Sequence, residues 1–141
     1  MSLKKKFKTD KKCESEGVCL DYGEGQRIWI ARAGGANARF RAERQRLFKR
    51  YRRQIELGVL SEDIQERIAR ELYAKTIVLK WEGITKDDCG IEEGSAELVD
   101  FNVENAIRLF ENLPDLFDDV QAQAQNNQLF LEHIREEDAG N

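Results

Sequence analysis

The stretch SEDIQERIARELYAKTIVLKW, residues 61–81, decides the fold. Ser61 is a good N-cap, and the two acidic residues after it suit the positive end of a helix dipole. The apolar period predicts a helix from Ser61 to about Lys80, with Trp81 as a packing anchor at its end. Residues 76–79 would also suit a strand, but their continuity with the preceding period favours helix. Because apolar residues mark two faces, we expect this helix at the centre of the core. One face carries Ile64, Ile68, Leu72 and Leu79, and the other carries Ala69, Tyr73 and Ile77.

A β-hairpin is predicted on the N-terminal side of this helix. In residues 18–22 apolar and polar side chains alternate, and the β-rich run Ile28–Ile30 follows a Gly-Glu-Gly turn at 23–25. Two short β-rich runs around a glycine turn are typical of a hairpin. Gly34 and Gly35 then end the second strand. Neither glycine pair has the spacing of a phosphate-binding loop.

Between the hairpin and the central helix, residues 36–57 predict another helix, with Gly58 as its stop signal. Its apolar stripe is interrupted by Arg44 alone, and the rest of its circumference is densely basic. A basic helix can bind nucleic acid, or its charges can pair with acidic groups elsewhere. Cations distributed right round the helix, without a base-reading edge, favour the second interpretation. The stripe is Phe40, Leu47, Phe48, Tyr51 and Ile55, and the cations are Arg39, Arg41, Arg46, Lys49, Arg50, Arg52 and Arg53.

Two further helices are predicted in the C-terminal part. Asn102 is the N-cap of a short helix that ends near Asn112, and Pro114 lies in the first turn of a final helix. An asparagine within the final helix's apolar stripe indicates an interface with a partner rather than a dry core. The expected partner-binding residues are Leu116, Val120, Asn127, Leu131 and Ile134.

These elements predict a mainly α fold with a small N-terminal β-hairpin, an α+β arrangement of four helices in one compact domain at residues 17–138. The lysine-rich residues 1–16 are expected to form a flexible basic tail, and residues 139–141 a frayed end. The length of 141 residues suits a single domain. No apolar run approaches the roughly 18 residues of a membrane span, and no apolar stretch follows the basic start as in a secretory signal.

The charges divide sharply along the chain. Residues 1–60 carry sixteen Lys and Arg against seven Asp and Glu, whereas residues 61–141 carry seven against twenty, which gives net charges of +9 and −13. Two opposed poles can pair within one monomer or head-to-tail between copies. The residues expected to take part in this charge pairing or self-association are Arg46, Lys49, Arg50 and Arg53.

The residue types that catalysis needs are scarce. The single histidine is His133, and no serine or cysteine lies in a recognisable nucleophile motif. Cys13, Cys19 and Cys89 lack the spacing of a zinc or redox site. The acidic residues at 87–93 do not follow the calcium-loop pattern and predict an acidic surface turn. We therefore expect a binding protein with no enzymatic activity, no cofactor and no metal.

An ordered series of short segments spans about residues 17–134. The segments are GVCLDYG at 17–23, RIWIARAG at 27–34, ANARF at 36–40, GVLS at 58–61, AKTIVLKWEGI at 74–84, FNVENA at 101–106 and LPDLF at 113–117. In this order the series resembles the tail assembly chaperones of long-tailed bacteriophages. The most family-like segments are the helix ending in Trp-Glu-Gly and the Asn-capped helix followed by Leu-Pro-Asp-Leu.

The resemblance implies a mainly helical protein that acts in the cytoplasm of the bacterial host and is absent from the mature virion. Such proteins coat the tape-measure protein, keep it soluble and recruit tail-tube subunits, and many have a longer product made by ribosomal frameshifting. Two alternatives stay open. One is a small nucleic-acid-binding phage regulator that uses Lys4–Lys12 and the helix Arg39–Arg53, although the acidic net charge of −4 disfavours it. The other is a structural minor tail or connector protein.

Overall fold

The computed structural model describes residues 2–8 and 16–131, and every structural statement below concerns that part of the chain. The fold is mainly α with a small antiparallel sheet, which confirms the predicted class. Four of the described helices have ten or more residues, in agreement with the four helices predicted. The elements in chain order are α1 Leu3–Phe7, β1 Val18–Asp21, β2 Arg27–Ile30, α2 Ala38–Arg50, α3 Arg52–Leu57, α4 Glu62–Thr76, β3 Val78–Glu82, α5 Val103–Asn112, α6 Pro114–Ala124 and a 3-10 helix Asn127–Phe130.

The predicted hairpin is present as β1 and β2, but the sheet has a third strand that the sequence assigned to a helix. Helix α4 ends at Thr76, and residues 78–82 form β3, antiparallel to β2, in the order β1-β2-β3. Consecutive β-branched residues at 76–78 favour extended backbone, and β2 offers them an unpaired edge. Ile28 lies opposite Trp81 and Ile30 opposite Val78, so both pairs face the core. The prediction of a helix to Lys80 is therefore wrong after Thr76.

Side-chain and glycine caps set the helix ends where the sequence predicted them. The Ser61 hydroxyl oxygen accepts the backbone N–H of Ile64 at 3.3 Å, and the Asn102 side-chain oxygen accepts that of Asn105 at 2.7 Å. Gly58 ends α3 in the left-handed conformation, with φ of 68°. Each cap pairs a terminal backbone group that the helix itself leaves without a partner.

The helix predicted over residues 36–57 is divided. Its first part, α2, ends at Tyr51, whose φ of −105° and ψ of 12° depart from helical values, and α3 follows as a separate short helix. Asn37 caps the start of α2 by accepting the N–H of Phe40 at 3.0 Å.

The core lies between one face of the sheet and helices α2, α4, α5 and α6. Helix α4 packs against both α2 and α5, which confirms its central place. Aromatic rings connect the helices, because Tyr73 of α4 makes edge contacts with Phe40 of α2 and with Phe117 of α6. Phe117 also contacts Phe110 of α5, with ring centroids 4.7 Å apart.

The two ends of the described chain differ from the sequence-based expectations. In the predicted basic tail, residues 3–7 form one helical turn, capped by Ser2 and with its side chains exposed. The final helix, predicted to continue past residue 130, ends at Ala124. Asn126 accepts the backbone N–H of Gln128 at 3.0 Å, a local bond that competes with helical pairing and starts the 3-10 turn instead. No helix in residues 2–8 and 16–131 is long and apolar enough to cross a membrane.

Candidate partner-binding surface

The apolar stripe predicted as the partner-binding surface faces the inside of the molecule. Val120 is completely buried and Leu131 is 4% exposed. Leu116 is half-buried and packs against the same core. The prediction of an exposed stripe is therefore wrong for Val120, which lies on the face of α6 that joins the core, and for Leu131, which is buried beyond the end of α6. The side chain of Asn127 and the whole of Ile134 lie outside the described part of the chain.

An open apolar groove of about 480 Å³ lies instead between α2–α3 and α4. We call it the α2–α4 groove. Leu47 and Leu72, both buried, form its floor, whereas the ring of Phe48 is 55% exposed at its edge. Ile55 of α3 is 38% exposed. The lining residues are Arg44, Leu47, Phe48, Ile55, Gly58, Leu60, Gln65, Ile68, Ala69 and Leu72.

The groove follows from the local structure of its walls. Residues 44, 47, 48 and 55 share one helix face, but α4 covers only the Leu47 side of that face. The division at Tyr51 and the turn at Gly58 return the chain to α4 and leave Phe48 and Ile55 uncovered. The sequence showed this stripe without showing that only part of it is covered. The one signal in the sequence was Arg44, which interrupts the stripe and would be costly to bury unpaired.

Arg44 lies at the edge of the groove beside its apolar floor. Its guanidinium carbon is 5.4 Å from the centre of the Phe40 ring, a cation–π arrangement. Among the ten described residues that line the groove, Arg44 is the only charged one. Its guanidinium lies over the ring and makes no ion pair with another described residue, so its N–H groups stay available to an acidic partner.

Most cations of α2 and α3 already have partners within the fold. Arg39 donates to the carbonyl of Lys75 at 3.0 Å, and Arg41 donates to the carbonyl of Gly35. Arg52 pairs with Glu56 at 2.9 Å. Cations engaged in this way are poorly placed to contact phosphate groups.

The four residues predicted to pair or to drive self-association separate into two kinds. Arg46 and Arg50 approach Glu71 of α4 at 3.6 and 4.0 Å, so they pair inside the monomer. Lys49 and Arg53 have no ion pair with any other described residue. Self-association itself stays a prediction, and these two residues are the ones available for it.

An ionic cluster of residues that do not line the groove joins α2 to α4. Arg46 hydrogen-bonds Glu43, its Nε at 3.0 Å from the carboxylate, and Lys75 approaches Glu43 at 3.4 Å and Glu71 at 2.7 Å. The hydrogen bond from Arg46 is the largest cause that lowers the pKa of the Glu43 carboxyl, and the charge of Lys75 adds to it. Cross-helix pairs of this kind join α2 to α4.

The acidic turn predicted at residues 87–93 uses carboxylates to order its own backbone. Asp88 accepts the N–H of Thr85 at 2.9 Å, and Asp87 accepts that of Gly94 at 2.9 Å. Asn112 of α5 donates to the carbonyl of Asp88 at 2.9 Å and fixes the turn to the helix. Within residues 2–8 and 16–131, no three His, Cys, Asp or Glu side chains are grouped closely enough to hold a metal ion. Burial is the largest cause that raises the pKa of the Cys89 thiol.

The sequence model of the YdaY prophage protein family matches residues 35–141. The chain belongs to that family. The match begins after the β-hairpin and includes every residue that lines the α2–α4 groove. Membership in the YdaY prophage family confirms the predicted bacteriophage origin. No curated protein and no solved structure matches the chain.

Proposed function

We propose that this YdaY-family protein is a tail assembly chaperone that binds the phage tape-measure protein and recruits tail-tube subunits. It acts by binding, without catalysis and without a cofactor, in the cytoplasm of the bacterial host. The observation that carries the proposal is the open apolar α2–α4 groove, with Phe48 and Ile55 exposed at its edge on a phage protein. Exposed apolar surface of this kind typically marks a site for another macromolecule.

The physical demands of the client agree with such a groove. A tape-measure protein is long and largely helical before assembly, so its apolar stripes need to be covered to stay soluble. Many copies of a small protein can cover them through individually weak contacts, because neighbouring sites on one chain raise the effective concentration. Weak contacts also allow tail-tube subunits to displace the chaperone, which would then be absent from the mature virion.

The nucleic-acid-binding alternative is less well supported by the geometry. Arg39, Arg41, Arg46, Arg50 and Arg52 all contact acceptors within the fold. Phosphate contacts, which supply most of the affinity for nucleic acid, would have to break those pairs or rely on the few remaining cations.

The test is co-expression with the cognate tape-measure protein. We expect the soluble fraction of the tape-measure protein to rise and the two proteins to co-purify, whereas they should not do so with an unrelated small acidic protein. Failure to solubilise or co-purify, together with sub-micromolar binding to DNA or RNA, would establish the regulator instead. Stoichiometric amounts of this chain in purified virions, measured by mass spectrometry, would establish a structural tail component.

A further inference from the structure

We infer that the α2–α4 groove binds an amphipathic helix whose apolar stripe is flanked by acidic residues. The inference rests on the proposed function, since it specifies which segments of the tape-measure protein are recognised. The occupant of the groove is a helix supplied by a partner protein.

The shape of the groove suits the side chains of one helix face. Its floor is Leu47 and Leu72, and the exposed parts of Phe48 and Ile55 continue it to the surface. A volume of about 480 Å³ holds several large apolar side chains but no complete helix. Amphipathic helices dock in this way, with anchors at positions i, i+3 or i+4 and i+7 inserted into a hydrophobic groove.

The charge around the groove selects acidic flanks on that helix. Residues 38–57, which form one wall, carry eight Lys and Arg against two Glu. Arg44 lies on the groove itself and makes no ion pair with another described residue. Carboxylates beside the anchors of the docked helix would pair with its guanidinium, whereas lysines there would be repelled.

Other occupants fit less well. A second copy would bring one strongly basic wall against another, and its acidic helix α6 has Val120 and Ala124 in the core, so it has no apolar stripe to insert. A nucleic acid would match the cations but would leave the apolar floor without a partner. An acidic amphipathic helix matches both features of the site.

The binding test uses three synthetic helical peptides of equal length. The first has leucines at the helical spacing with glutamates at the flanks, the second replaces the glutamates by lysines, and the third has the composition of the first in scrambled order. We expect the first peptide to bind the full-length protein, measured by fluorescence anisotropy, and the other two to bind at least about tenfold more weakly. Equal affinity for the glutamate and lysine peptides would overturn the inference.

Matched variants locate the binding site. Phe48→Asp should weaken binding of the glutamate peptide at least about tenfold, because the exposed aromatic ring at the groove edge is lost and the new carboxylate repels the glutamates. Leu98→Asp is the control, since Leu98 is also exposed (63%) but lies in the loop between β3 and α5. Phe48→Ala provides the same test without a new charge, and unfolding curves confirm that each variant is folded. Equal effects of the Phe48 and Leu98 variants would place the binding site outside the groove and overturn the inference.

The peptide and co-expression experiments fail in different ways. Peptide binding that depends on Phe48, together with no effect on the tape-measure protein, would support the groove and overturn the chaperone function. A tape-measure protein that stays soluble equally with wild type and with Phe48→Asp would support the function and overturn the groove as its docking site.

Discussion

Two apolar stripes with the same helical period lie in opposite environments in this molecule. The final helix was predicted to carry an asparagine, Asn127, in its apolar stripe, which indicated an interface. Val120 of α6 and Leu131, beyond the end of that helix, are nevertheless buried. The stripe of α2 and α3 resembled an ordinary core face, yet Phe48 and Ile55 are exposed. The comparison teaches that periodicity shows which face of a helix is apolar, whereas the neighbouring elements decide whether that face is covered.

The neighbours of the two stripes explain the difference. Helix α6 follows α5 after Leu113 alone, and its Phe117 ring packs against Phe110 of α5 and Tyr73 of α4. Helix α2 packs mainly against one long helix, α4, which also contacts α5 and β3. One wall of the groove is therefore left open.

The largest effect should come from placing the same charged group in each stripe. Val120→Asp puts a carboxylate in a fully buried position, and we expect a loss of about 3 kcal/mol or more in the free energy of unfolding. Phe48→Asp should change that free energy by less than about 1 kcal/mol, because the ring is already more than half exposed. Urea denaturation followed by circular dichroism measures both.

Val120→Ala is the milder control for the buried site, with an expected loss of about 2 kcal/mol from the lost methyl groups and the cavity. Equal destabilisation by the two aspartates would mean that Phe48 belongs to the core and that the groove is closed in solution.

Features with a local cause were predictable from the sequence. The caps at Ser61 and Asn102 and the stop at Gly58 depend on a few adjacent residues, and the structure has all three at the expected positions. The hairpin has the same kind of local signal. Strand β3 does not, because the residues after Thr76 suit either structure and only the free edge of β2, about fifty residues earlier in the chain, decides between them.

The candidate site shows the same limit. From the sequence, Arg46, Lys49, Arg50 and Arg53 were predicted together to take part in charge pairing or self-association. The structure separates them by their distance from Glu71, a residue on a different helix. Burial of Val120 likewise depends on α4 and α5. Residue patterns do not show which helices contact each other, and these contacts decide which side chains of the site are buried or paired.

A smaller effect is expected from the ionic cluster that joins α2 to α4. The pKa of Glu43 is lowered in the folded protein, mainly by its hydrogen bond to Arg46. A lowered folded-state pKa stabilises the protein above the ordinary Glu value of about 4.3, and this stabilisation is lost as the pH falls through the folded-state pKa. We expect the contribution to be less than about 1 kcal/mol.

Glu43→Gln, which keeps the shape of the side chain, tests this pH dependence. The free energy of unfolding of the wild type should fall more steeply than that of the variant as the pH drops below about 4.3. The two should differ by a nearly constant amount near neutral pH. Parallel curves over the whole acid range would show that Glu43 titrates alike in the folded and unfolded chain.

The smallest effect distinguishes the two kinds of cation on the basic wall. Arg50→Glu places a carboxylate beside Glu71 and should reduce stability by about 0.5 kcal/mol or less, since the pair is long and half exposed. Arg53→Glu should leave stability unchanged and instead weaken the head-to-tail association that the opposed charges of the two chain halves favour. Light scattering should show a wild-type mass that falls with added salt, because the Debye length shrinks from about 10 Å at 0.1 M to about 3 Å at 1 M. The Arg53→Glu mass should already be low at the lower salt concentration.

A wild type that is monomeric at every salt concentration would mean that the charges of the two halves are neutralised within each molecule, and the groove would then be the main site through which this protein meets a partner.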